Sequence, residues 1–242
     1  MARWNPFKTK RATGEQLYAA GRFEQARAAF AAAIAENQQR LQSRPDDLEL
    51  NAAIARDLHN LGLCLGGLRR FGEAAKVLAG AATIFESIEQ HDDPVRRTLW
   101  QSLRAGTVQS LAGALGDAGD LSQALVASRQ AVDLRRGLPT VEDTEMARTL
   151  RMFAHVRAEA GVELDEAMSA ANDAQTRLMN AISRSPDMAT VEEIYTTELV
   201  MARVLARQGK TAEAQRVEAL ARSRHLDALP AMMRNQQRPP GQ

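Results

Sequence analysis

Cysteine is almost absent: Cys64 stands alone in 242 residues. The chain therefore cannot close an internal disulfide, and without a CxxC or a Cys/His cluster nothing points to structural zinc. That usage gives no sign of an oxidising compartment, and a reduced cytoplasm is the expectation. Aromatics are scarce too. Two Trp, two Tyr and six Phe, with few β-branched runs and many alanines, leave strands little to build on and favour helix. Long apolar runs are missing as well. The longest uncharged stretch, "AGTVQSLAGALG", falls far below the ~20 apolar residues that span a bilayer, and "MARWNPFKTKRAT" has charge but no apolar signal core. An all-α chain with neither export nor a transmembrane segment is expected.

A dominant charge is also lacking, because the net value is +1. Residues 1–14 carry Arg3, Lys8, Lys10 and Arg11 with no acid, and 222–242 carry four Arg against Asp227, giving +4 and +3 and leaving −6 for the body. A body of that sign does not suit nucleic acid, so no such partner is expected.

What the chain does have is a spacing. In "YAAGRFEQARAAFAAAI" and its flanks stand Gly14, Leu17, Gly21, Phe23, Ala26, Phe30 and Ala33. The same offsets return as Gly62, Leu65, Arg69, Phe71, Ala74, Leu78 and Ala81, then as Ala112, Leu115, Gly119, Leu121, Ala124, Ser128 and Ala131, and finally as Ala202, Leu205, Gly209, Thr211, Ala214, Glu218 and Ala221. A further copy fits before the last if one residue is inserted after Gly161, bringing Leu164, Ala167, Ala171 and Ala174 into register. Two antiparallel helices joined by a short turn approach closely only where side chains are small, so Gly62 is expected to meet Ala74. Gly21, Gly119, Gly161 and Gly209 fall where the first helix of each pair ends, a left-handed position that suits Gly. The aromatic or Leu that follows closes the base of the hairpin.

This pattern resembles the tetratricopeptide repeat family. The alanines at 26, 74, 124, 167 and 214 lie 43 to 50 residues apart, against a family period of 34. "ARDLHNLGLCLGGLRRFGEAAKVL" and "HDDPVRRTLWQSL" look like the longer kinesin-light-chain-type repeats common in bacterial proteins, and HEAT-like repeats are the minor alternative. The resemblance implies a right-handed α-solenoid of about five hairpins and a protein-interaction role. Pro45, Pro94, Pro139 and Pro186 mark loops between units. The expected layout is a basic tail 1–12, a repeat domain 13–228 with units 13–44, 46–90, 95–138, 143–184 and 190–228, and a disordered tail 229–242. Asp46-x-x-Glu49 and Thr190-x-x-Glu193 read as capping boxes. The first tail mixes Trp4 and Phe7 with cations, a composition compatible with docking on an anionic surface or a partner, although disorder is the simpler reading.

Chemistry-bearing motifs are few. Gly209-Lys210-Thr211 lacks the earlier Gly of a phosphate loop, where Val204 stands, and no strand leads into it. His91 with Asp92 and Asp93 reads as a turn and helix start, Cys64 as a buried filler, and His225 has no evident companion. No paired acid and base, cofactor motif or metal cluster emerges, so no enzyme, cofactor or metal is expected.

The groove of first helices is more informative. Residues opposite the packing stripe are Arg56, His59, Asn60, Leu63 and Gly67, then Gln109, Ser110 and Asp117, then Arg148, Arg151, Met152, His155 and Glu159, and last Thr196, Leu199, Val200, Arg203 and Arg207. A mostly basic surface with apolar spots suits an acidic segment with apolar anchors. Any solenoid in an Arg-rich chain also shows such arginines paired along its own helices, and the sequence does not separate the two readings. Family members that clamp a chaperone's C-terminal carboxylate use a Lys/Asn/Arg set that Arg11 and Asn60 match approximately and Glu15, Gly106 and Ser110 do not, so that activity is not expected. The expected function is a non-enzymatic scaffold that holds a protein segment in its concave groove. The alternatives are a structural subunit that self-associates, for which Val217, Leu220, Leu226, Leu229 and Met232 near the end offer apolar surface, and a sensor of a ligand or peptide.

Overall fold

The computed structural model describes residues 6–236. Every regular element among them is an α-helix: α1 (Pro6–Ala19), α2 (Phe23–Leu41), α3 (Leu48–Gly67), α4 (Phe71–His91), α5 (Pro94–Asp117), α6 (Leu121–Arg136), α7 (Asp143–Ala160), α8 (Leu164–Arg184), α9 (Met188–Arg207) and α10 (Thr211–Gln236). Consecutive helices pair as hairpins α1/α2 through α9/α10. The chain falls into two compact units, Met1–Pro139 with three hairpins and Thr140–Gln242 with two. The register of small residues runs on past Pro139 and so could not mark that division. Helix α1 opens at Pro6 and α10 continues through Gln236, both inside stretches read as tails, while 1–5 and 237–242 lie outside the described residues.

Each hairpin turns through a left-handed residue at the end of its first helix: Gly21, Gly119, Gly161 and Gly209 have φ of +70°, +86°, +70° and +79°. Arg69 holds the same place in the second hairpin with φ +60°. The residue after each donates its amide back over the turn, Arg22 to the carbonyl of Leu17, Arg70 to Leu65, Asp120 to Leu115, Val162 to Arg157 and Lys210 to Leu205, at 2.9–3.1 Å. These bonds satisfy carbonyls that the helix end would otherwise leave open. The residue inserted after Gly161 is visible as Glu163, which is itself left-handed at φ +49°. It bonds the Nε of Arg157, a guanidinium only 3% exposed that lies 3.3 Å from the centre of the Phe153 ring.

Small residues do let the rods approach, but the partner differs from expectation. A Cβ on Gly62 would fall 2.5 Å from Cγ of Leu78, one turn beyond Ala74, and one on Gly14 would fall 2.9 Å from the Phe30 ring. A helical residue leans back over the preceding turn, so the side chain that covers a glycine comes from further along the partner helix. Phe23 closes its hairpin against the next first helix, where a Cβ on Gly67 would meet the ring at 2.9 Å. Ala26, Phe30 and Cys64 pack together with Leu17 and Leu61, and Ala52, Ala55, Phe85, Ile88 and Trp100 form a second cluster in the same unit. Ala74, Ala124 and Ala167 are fully buried and Ala214 nearly so, whereas Phe71 is half-buried at the start of α4. Burying each large apolar side chain contributes about 1.5–3 kcal/mol.

The capping boxes are corrected. Asp47, not Asp46, caps α3 by accepting from the amide of Leu50 at 3.0 Å, and Glu49 pairs with Arg96. Asp187 caps α9 by accepting from Thr190 N at 2.8 Å. A capping side chain must stand just before the first helical turn; Asp46 lies one residue too early for α3 and Thr190 already inside α9.

Candidate protein-binding face

In Met1–Pro139 the candidate residues lie on α3 and α5. Arg56, Asn60 and Gln109 are half-buried, and the Nε of Arg56 reaches back to the Ala52 carbonyl at 3.4 Å. His59 is turned inward: its Nδ1 lies 3.1 Å from Thr107 Oγ1 on the neighbouring first helix, and Thr107 Oγ1 lies 2.8 Å from the Leu103 carbonyl. With the hydroxyl donating to that carbonyl, the imidazole N–H donates to the hydroxyl. Burial pushes the imidazole down to about 4, so it is neutral at pH 7. Gly67, also assigned to this face, is exposed but abuts the Phe23 ring.

Thr107 belongs to a series that the outward-facing pattern missed. Asp57, Thr107, Thr149 and Thr197 occupy one register position, five before Gly62, Ala112, Ala154 and Ala202, and each is at most 1% exposed. The three threonines bond back to the carbonyls of Leu103, Glu145 and Glu193 at 2.8, 3.1 and 2.7 Å, which satisfies hydroxyls inside the packing stripe. Their common spacing in the sequence was the available signal.

In Thr140–Gln242 the first helices α7 and α9 lie side by side and carry the remaining candidates. Arg148 Nε bonds Glu193 Oε1 at 2.8 Å and Arg151 Nη2 bonds Glu193 Oε2 at 3.0 Å. Glu193, read as part of a capping box, therefore joins the two helices instead. Further along, Arg203 Nη1 donates to His155 Nδ1 at 2.8 Å and lies 3.2 Å from Glu159 Oε1, while Arg207 Nη2 lies 3.9 Å from Glu159 Oε2. Met152 and Leu199 are half-buried between these two charged groups, and Val200, expected on the face, is buried. Arg148, Arg203 and Arg207 remain 42–50% exposed. The expected basic face is thus a mixed one, because each cluster of arginines meets a glutamate on the adjacent helix.

Other singled-out residues have local roles. Asp92 ends α4, accepts from the Asp93 amide at 2.8 Å and takes the indole N–H of the buried Trp100, a bond that holds its carboxyl below the usual range. Cys64 is buried and its thiol is pushed up to about 11 by that burial. His225 does have companions: its ring stacks on Tyr195 at 4.5 Å and its Nε2 lies 3.5 Å from Glu192. Gly209 and Lys210 lie in the turn between α9 and α10, and Thr211 opens α10. Among the described residues no group of three or more His, Cys, Asp or Glu is placed to hold a metal ion, and no helix is long and apolar enough to cross a membrane.

No family model matches the sequence, and no curated protein does. Solved structures do match the fold. A protein from Podosopora anserina with nearly identical TPR-like repeats of kinesin light chain type superposes with a TM-score of 0.64 at 15% identity, covering 92% of this chain and 96% of that one. BtubC (BKLC) from P. vanneervenii gives 0.65 at 16% identity over 95% of this chain and 81% of its own. The fold is that of the tetratricopeptide-like helical repeat proteins.

Proposed function

We propose that the chain is a non-catalytic interaction module of the cytoplasm that holds an acidic protein segment against the first-helix face of α7 and α9. The observation that carries this reading is the arrangement of Arg148, Arg151, Arg203 and Arg207 around the half-buried Met152 and Leu199. Guanidinium groups take carboxylates in bidentate fashion, and an apolar anchor between them adds buried area without a charge to desolvate. Helical-repeat folds present such surfaces for binding. His59 lies deep in the joint between α3 and α5, so the corresponding part of Met1–Pro139 offers a partner less. Affinity capture from native lysate with wild type and an R148Q/R151Q variant tests the reading: the partner should be lost from the variant while its helical circular dichroism stays intact. Equal capture by both would remove the face from consideration.

A second reading, a structural subunit that self-associates through α10, has Leu220 and Leu226 in its favour, 50% and 58% exposed. Sedimentation separates the two, since a monomer at high concentration counts against self-assembly.

A further inference from the structure

The Arg148 and Arg151 guanidiniums do not stand open: Glu193 holds both, one carboxylate oxygen to each, at 2.8 and 3.0 Å. Each arginine carries five N–H donors, and Glu193 engages one from each. Arg151 Nε is buried and has no hydrogen-bond partner. Arg148 also lies within electrostatic reach of Asp187, the residue that caps α9. The side chains of Arg148, Arg151 and Glu193 are 42%, 22% and 19% exposed, within reach of solvent and of an incoming group. The Arg148 side of this arrangement, 42% exposed, resembles a surface ion pair, which contributes typically up to about 1 kcal/mol and so can be exchanged for another carboxylate.

We propose that Arg148 and Arg151 form a carboxylate site which Glu193 occupies in the absence of a partner, so that an acidic side chain of a bound protein segment must displace it. This inference rests on the proposed binding face and adds that the face is held closed by its own chain. Glu193 then sets the affinity threshold, and the partner's carboxylate replaces it on the same two guanidiniums.

The test uses the full chain and a fluorescein-labelled hexaglutamate peptide, with binding read by fluorescence anisotropy at low salt. E193Q, which keeps shape and removes the resident charge, should bind the probe about three- to tenfold more tightly than wild type, and an R148Q/R151Q/E193Q variant should lose that gain. If wild type binds and E193Q binds no better, the displacement idea fails while the binding face stands. A gain that persists in the triple variant also overturns it, because the anion would then sit elsewhere. Absence of binding by either protein removes the acidic-ligand reading and this inference with it. In unaltered protein, the Nε–Hε NMR resonances of Arg148 and Arg151 should move when the probe is added, and stationary resonances would count against exchange.

Discussion

Neighbouring first helices are joined in both units, but the middle of the joint differs in chemistry. Between α3 and α5 the middle of the joint is a neutral imidazole on a threonine hydroxyl, with His59 largely buried and Thr107 fully so, and the exposed Glu49–Arg96 ion pair lies near the starts of the two helices. Between α7 and α9 it is a set of half-exposed ion pairs in which Glu193 and Glu159 face arginines. His59 and Arg151 stand at the same register position, three before Gly62 and Ala154, yet the imidazole makes a neutral, largely buried hydrogen bond and the guanidinium an ion pair. A desolvated neutral hydrogen bond is indifferent to salt and vulnerable to protonation, whereas an exposed ion pair is screened by salt and replaceable by another charge. The proposed exchange of carboxylates therefore belongs to the paired arginines of α7, where Glu193 is the group to displace.

The largest expected effect is an acid-induced weakening of the neutral joint. The folded-state pKa of His59 lies near 4, below the ordinary 6.5, so between those values the unfolded chain takes up a proton that the folded chain refuses. The stability contribution of this group is full above pH 6.5 and falls as pH drops toward 4, by up to about 3 kcal/mol. Urea unfolding of wild type and H59Q at pH 7, 5.5 and 4.5 isolates it: the variant should lack this part of the slope, and parallel profiles would show that His59 is not the group. T107V should cost about 1–2 kcal/mol at pH 7 by leaving the imidazole N–H without an acceptor, and that loss should not change between low and high salt.

The architecture was legible from spacing because it rests on backbone constraints. The left-handed turns at Gly21, Gly119, Gly161 and Gly209 and the residue inserted after Gly161 could be read because only certain side chains tolerate those positions. The division after Pro139 was not legible, since the small-residue register continues past it. On the proposed binding face, helical periodicity told which side of α7 carries Arg148 and Arg151 but not what lies across from them. Glu193 is 42 residues from Arg151 in sequence, and its position in α9 resembles a capping acid equally well. His59 shows the same limit, since a residue one helical step from the stripe can face outward or bridge to the next helix, and only the spacing between helices decides.

On the charged joint, E193Q should lower stability by no more than about 1 kcal/mol at low salt, and its difference from wild type should vanish in 1 M salt. A loss that survived high salt would mean that Glu193 is a structural keystone rather than an exchangeable group.

The smallest effects lie in the turns that both kinds of joint share, and they test whether the left-handed position itself shapes the hairpin. Arg69 is exposed and sits at φ +60° where four other hairpins use Gly. A residue with a Cβ in that conformation costs about 1–2 kcal/mol, part of which Gly gives back through its freer unfolded chain. R69G should therefore raise stability by about 0.5–1 kcal/mol, and G21A should lower it by a similar amount. A Cβ on Gly21 would meet nothing within 4 Å, so any loss there comes from the backbone alone and not from a clash. Urea midpoints for the two variants should move in opposite directions. If both fell, side-chain contacts of Arg69 would outweigh its strained backbone, and the turn would owe its shape to packing.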